Sequence, residues 1–172
     1  MAPTSYQSKM KGDDPKTHSQ SVDQVVAMGN ATVATILEGK GSDVYAVRPQ
    51  DTIAEATRVM KEKHIGAVVV KDAAGALVGI LSERDIVRQL ADTPGQTLSH
   101  TVEALMTKSP VTCSPDEPLL AMLQRMTEGR FRHLPVMEED RLVGVITIGD
   151  VVSYRLRELE YEALKMKQMI VG

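Results

Sequence analysis

Two stretches of this chain set a hydroxyl three residues ahead of a carboxylate: Ser82-Glu-Arg-Asp85 and Thr147-Ile-Gly-Asp150. Each closes an apolar run, Gly79-Ile-Leu-Ser82 and Gly144-Val-Ile-Thr147, and opens a segment of helical periodicity. At a strand-to-helix junction both groups can accept from the hydroxyls of a sugar diol. The helix start adds free N–H groups and a partial positive charge that suit a nearby phosphate. The same pattern is close to an N-terminal capping box, which stabilises a helix and binds nothing. Repetition of the whole surrounding segment favours a ligand role for Asp85 and Asp150 over capping alone, while Ser82 and Thr147, which a helix cap needs just as much, fit both readings equally.

Other chemistries find less support. A single cysteine, Cys113, excludes a disulfide framework and a Cys-based zinc site, and its default reading is a buried small hydrophobe. His18, His64 and His100 lack metal-ligand spacing, so no metal is expected. There is no Gly-x-Gly-x-x-Gly, P-loop or nucleophile-elbow pattern and no credible acid–base pair, so no catalytic residue is expected.

The elements that must position the two pairs repeat as well. In the first unit, Val44–Asp51 leads to a helix over about 52–64, a strand at Ala67–Val70, a turn at Asp72–Gly75, a strand at Leu77–Leu81 and a helix from about Glu83 to Leu90. In the second, Pro110–Asp116 leads to a helix over about 118–128, a strand at His133–Val136, a turn at Glu138–Asp140, a strand at Leu142–Thr147 and a helix from about Gly149. Pro49 aligns with Pro115 and Met60 with Met126, 66 residues on; Gly79 aligns with Gly144 and Asp85 with Asp150, 65 residues on. One residue lost at a hairpin turn is what a duplication tolerates best. Thr52-x-x-Glu55 and Ser114-x-x-Glu117 are expected to cap the first helix of each unit.

The expected fold is therefore α+β, with two β-α-β-β-α repeats packed sheet to sheet about a pseudo-twofold axis. They share one core and leave an equivalent cleft on either side of the axis. The expected boundaries are 1–30 for a mobile polar tail with a short helix near Ser21–Met28, 31–92 and 93–156 for the repeats, and 157–172 for a helical extension. An apolar content of 42% with only 3% aromatic residues makes the core aliphatic and methionine-rich. A net charge of −3 gives no nucleic-acid footprint and no attraction to an anionic membrane. Without a signal-peptide h-region or a membrane-length apolar run, and with one cysteine, a cytoplasmic location is expected.

These residues resemble a tandem pair of cystathionine-β-synthase-type (CBS) domains, a Bateman module, over about residues 32–156. The likeness rests on the duplicated Gly-h-h-Ser/Thr-x-x-Asp segment, the Gly66-Ala-Val-Val-Val and His133-Leu-Pro-Val strands, and the amphipathic helices before them. It implies a non-catalytic regulatory module that binds AMP, ADP, ATP, NAD(H) or S-adenosylmethionine between its repeats. Asp85 and Asp150 would hold ribose hydroxyls, with Ser82 and Thr147 near ribose or α-phosphate. Adenine would sit around Val44, Tyr45, Ile65, Gly66, Ala67 and Val111. Arg130, Arg132 and His133 would reach phosphate. The expected grouping joins Arg132 and His133 to Thr147 and Asp150 as the stronger phosphate site, with Arg84 partly compensating beside Ser82 and Asp85. An inosine-monophosphate-dehydrogenase-like enzyme would need a barrel of about 250 residues, for which the chain has no room.

Beyond the repeats, Val152, Leu156, Leu159, Ala163, Met166 and Ile170 step by 4, 3, 4, 3 and 4, the spacing of a coiled-coil seam. A homodimer using this helix and the amphipathic helices of the units is expected, and a helix lying across its own core is the alternative. Any signal would pass to a separate effector protein.

Overall fold

The computed structural model describes residues 31–171, so the expected tail and its short helix lie outside the described residues. The first helix, α1 (Val33–Lys40), leads to β1 (Ala46–Val47), α2 (Ile53–Lys63), the hairpin β2 (Ala67–Lys71) and β3 (Leu77–Ser82), and α3 (Glu83–Asp92). A connection carrying the short α4 (Val102–Leu105) and β4 (Thr107–Lys108) follows. The second unit holds α5 (Leu119–Gly129), the hairpin β5 (His133–Glu138) and β6 (Arg141–Thr147), and the long α6 (Ile148–Val171).

Local chemistry explains the helix ends. Thr52 Oγ1 accepts from Glu55 N at 3.2 Å and a Glu55 carboxylate oxygen accepts from Thr52 N at 2.7 Å, a complete capping box at the start of α2. The corresponding cap expected at Ser114 is corrected. Ser114 N does donate to Glu117 at 2.8 Å, but α5 begins at Leu119 after Pro118, so that bond shapes the preceding turn. Both helices end alike, with His64 and Arg130 in the left-handed region at φ 54°. Their inward faces are Ile53, Ala56 and Met60 in α2 and Leu119, Met122 and Met126 in α5.

The duplication is visible in the strand pairing. β1 runs parallel to β2 through Val47↔Val70, and the second unit has a parallel bridge Cys113↔Val136 at the corresponding place. β2–β3 and β5–β6 are antiparallel hairpins, each with a bulge near its turn. β4 adds to the first sheet, giving the order β1-β2-β3-β4.

The expected single shared core is corrected: buried apolar side chains form two clusters, and each borrows a segment from elsewhere in the chain. Val33 and Ile36 of α1 join Leu119, Met122, Leu134 and Ile146 of the second unit. Val102 of α4 joins Ile53, Met60, Val70 and Leu81 of the first. The paired glycines of the repeat permit this exchange. A Cβ on Gly79 would stand 2.5 Å from Met106 Sδ, and one on Gly144 would stand 2.7 Å from Leu37 Cδ2. Each sheet therefore has a borrowed side chain lying flat on its backbone. The strand faces turned away from these clusters meet each other, with Val69 buried there and Gly66 against the His133 ring.

Candidate functional site

Both carboxylates cap their helices, and both also line a cleft. Asp85 Oδ2 accepts from Ser82 N at 2.9 Å and from Ser82 Oγ at 2.6 Å. Asp150 Oδ2 accepts from Thr147 N at 2.7 Å, while Thr147 Oγ1 accepts from Asp150 N at 3.1 Å. Capping thus uses one oxygen of each carboxylate. The other, Oδ1, has no hydrogen bond among the described residues, so each aspartate is held rigidly with an acceptor to spare.

The first cleft, about 300 Å³, is bounded by Ser82, Glu83, Arg84, Asp85 and Arg88 from the first unit and by Arg130, Phe131, Arg132 and His133 from the second. This corrects the expected grouping: Arg130 and Arg132 stand opposite Asp85. The reason is topological. The strand start of one repeat packs beside the strand-to-helix junction of the other, so each cleft takes its two walls from different repeats. Arg84 donates to the Arg130 carbonyl at 2.7 Å, tying the walls together. None of the four arginines lies within 4.0 Å of a carboxylate among the described residues. Four such charges facing one hollow repel each other and attract an anion.

The second cleft, about 400 Å³, joins Thr147, Asp150 and Val145 to Val44, Tyr45, His64, Ile65, Gly66, Ala67 and Val69 of the first unit, with Lys40 and Asp43 at its edge. Lys40 Nζ reaches Asp150 Oδ2 at 2.6 Å. Val111, expected beside an adenine, borders neither cleft and is half-exposed.

His133 and Gly66 border both hollows. Burial holds the His133 imidazole below its ordinary pKa, against the upward pull of Glu83 and Asp150 and with the downward push of Lys40 and Arg132. Burial likewise pushes the Cys113 thiol up to about 12, with Glu117 adding to the rise, which keeps it an inert core group.

Several lining residues escaped sequence reasoning. Phe131, the single phenylalanine, and Arg88 in the first cleft carry no repeat signal, and Lys40 lies ahead of the segments that repeat, at the end of α1. Arg88 falls one helical turn after Arg84, a spacing that could have marked it.

Comparison with known proteins agrees with this architecture. The CBS domain family profile matches residues 41–92 and 102–157. A CBS-domain-containing protein of Agrobacterium tumefaciens has a crystal structure with a TM-score of 0.71 and 44% identity, covering 72% of this chain and 92% of that one. The structure of CBSX2 in complex with AMP is similar at 27% identity and a TM-score of 0.59, covering 73% of this chain and 96% of that one. A CBS domain pair in complex with 5′-methylthioadenosine and S-adenosyl-L-methionine is similar at 26% identity and a TM-score of 0.64, covering 72% and 94%. The chain belongs to the CBS-domain family and carries two copies of the domain in tandem.

Proposed function

We propose that this CBS pair is a regulatory sensor of adenine nucleotides, with both clefts as binding sites. The observation that carries the reading is the crossed construction of each hollow. A rigid hydroxyl–carboxylate pair from one repeat faces the strand start of the other, so a ligand must touch both repeats at once. Asp85 and Asp150 receive ribose hydroxyls on Oδ1. In the first cleft the base lies against Ile80 and Phe131, and the phosphates meet Arg84, Arg88, Arg130 and Arg132. In the second the base lies against Val69, Val145 and Tyr45, and Lys40, His64 and His133 supply fewer cations. The first cleft thus takes the longer phosphate chain, ADP, ATP or NAD(H), and the second takes AMP.

Binding favours one arrangement of the repeats over another, and a separate effector protein reads that change. The module regulates rather than catalyses, works as a homodimer, and sits in the cytoplasm, where the buried Cys113 thiol stays reduced. Support for the ligand class comes from the similar structures holding AMP and adenosyl compounds.

The capping bonds favour a second reading, a structural module whose aspartates only hold helices. Thermal melting with and without millimolar AMP, ATP, NADH or S-adenosylmethionine separates the two. A ligand at 100 times its Kd stabilises the fold by about 2.7 kcal/mol. The sensor reading expects a rise with at least one of them, and unchanged melting with all four leaves the structural module.

A further inference from the structure

The two clefts share a wall, and the side chain in that wall is a single imidazole. His133 lines both hollows, and so does Gly66. A Cβ on Gly66 would stand 3.5 Å from His133 Cε1 and Nε2 and 3.4 Å from Glu83 Oε2. Glycine leaves that spot open, so the ring edge has room to tilt beside it. Equivalent backbone bonds frame the place in each repeat: Glu83 N donates to the Gly66 carbonyl at 2.9 Å, and Ile148 N donates to the Arg132 carbonyl at 3.0 Å. The side chains there are not equivalent, because Ala67 holds the position that corresponds to His133. One titratable ring therefore stands where the repeats meet, and nothing mirrors it.

The ring has no hydrogen-bond partner among the described residues, and no buried side-chain nitrogen or oxygen there lacks one, so the ring nitrogens open onto the hollows. Charged groups face it from both sides. Glu83 of α3 stands on the side of the first cleft, Asp150 of α6 and Lys40 of α1 stand on the side of the second, and Arg132 precedes it on its own strand. His64, at the end of α2, borders the second cleft as well. A neutral imidazole carries one N–H and one lone pair. Once a ligand oxygen in one cleft accepts the N–H, the other cleft faces the lone pair, which repels a second acceptor. A charged ring carries two N–H groups and satisfies both sides. Burial holds this ring below its ordinary pKa, so the form with one N–H prevails at neutral pH and above.

We infer that His133 couples the two clefts, so that a nucleotide in either one weakens nucleotide binding in the other while the ring is neutral. The inference rests on the reading of both clefts as nucleotide sites and deepens it by naming the regulation between them. By linkage the weakening factor is the same in both directions. The module then reports the balance between two nucleotides rather than the amount of one.

Calorimetric titration of the full chain with AMP, alone and at rising fixed concentrations of ATP, tests it. At about pH 8 the AMP Kd should rise about tenfold and then level off, since coupling between two sites saturates and competition for one site does not. His133→Ala should bring that limiting factor close to one. At about pH 5.5 the wild-type factor should also fall towards one, as the ring takes its second proton. His133→Gln keeps a donor and an acceptor but cannot be charged, so it should retain the antagonism at both pH values. The phosphate of the nucleotide titrates identically with that variant, so the difference between the two proteins reads the ring. An AMP Kd indifferent to ATP in the wild type overturns the inference, as does a factor that climbs without limit or one that His133→Ala leaves unchanged. If His133→Ala does not fold, equal pH dependence in the wild type and His133→Gln overturns it instead. In each of these results the nucleotides still bind and the sensor reading stands, whereas no binding at all removes both.

Discussion

Lys40 donates to Asp150 Oδ2 at 2.6 Å, an ion pair between residues 110 positions apart. Lys40 ends a helix that stands ahead of the first strand of the first unit yet packs on the core of the second. On the proposed reading, a ribose in the second cleft would meet a carboxylate already engaged on one oxygen, and a phosphate would meet the cation that engages it.

Removing that cation should separate sugar recognition from phosphate recognition. Lys40→Met is expected to leave adenosine binding equal or tighter while weakening AMP binding, lowering the AMP-to-adenosine affinity ratio about tenfold. Calorimetric titration of both ligands measures it. Stability should change by less than about 1 kcal/mol, because the pair is partly exposed.

The four arginines of the first cleft predict a different dependence on phosphate number. Arg132→Ala or Arg88→Ala should weaken ATP about tenfold while changing AMP affinity in the second cleft by less than about twofold. Competition titrations at two salt concentrations check this, since an arginine-held polyphosphate must also weaken as salt rises.

His133 gives the fold a pH dependence with a defined sign. Its folded pKa lies below the ordinary 6.5, so below neutrality the unfolded chain binds the proton first. The stability associated with the neutral ring is present above pH 6.5 and is lost as pH falls through the lowered folded value. His133→Gln should flatten the decline in Tm between about pH 7 and pH 5. A phosphate beside the ring favours the charged form, so nucleotide affinity should strengthen over the same fall in pH, and less so in the variant.

The two motif glycines predict an ordered pair of stability losses. Gly79→Ala meets Met106 Sδ and also the Thr107 carbonyl at 3.1 Å, which is backbone and cannot swing away. Gly144→Ala meets only the Leu37 side chain. Denaturant unfolding should give a loss of about 2 kcal/mol for Gly79→Ala and about 1 kcal/mol for Gly144→Ala.

Much of the repeat was legible because its signals are local. Ile53, Ala56 and Met60 mark a helix face by their spacing, the strand at Ala67 reads directly from its valine run, and the strand at His133, which holds Pro135 and one β-branched residue, reads from its place in the repeat and the turn after it. Ser82, Asp85, Thr147 and Asp150 were legible from repetition, and the capping and cleft-lining roles that spacing leaves open coexist on the two oxygens of each carboxylate. The exchange of α1 and α4 between units was not legible. Each is short, and its partners lie dozens of residues away, so nothing in its own pattern names the sheet it covers. The regrouping of Arg130 and Arg132 beside Asp85 has the same origin, since position along the chain does not say which wall a cleft borrows.

The most direct test is calorimetric titration of the full chain with AMP and with ATP, alongside Asp85→Asn and Asp150→Asn. Saturable heat is expected for both nucleotides, with Asp85→Asn chiefly reducing ATP binding, Asp150→Asn chiefly reducing AMP binding, and the double variant binding neither. No heat at millimolar nucleotide, or binding undisturbed in the double variant, would contradict the assignment of these clefts.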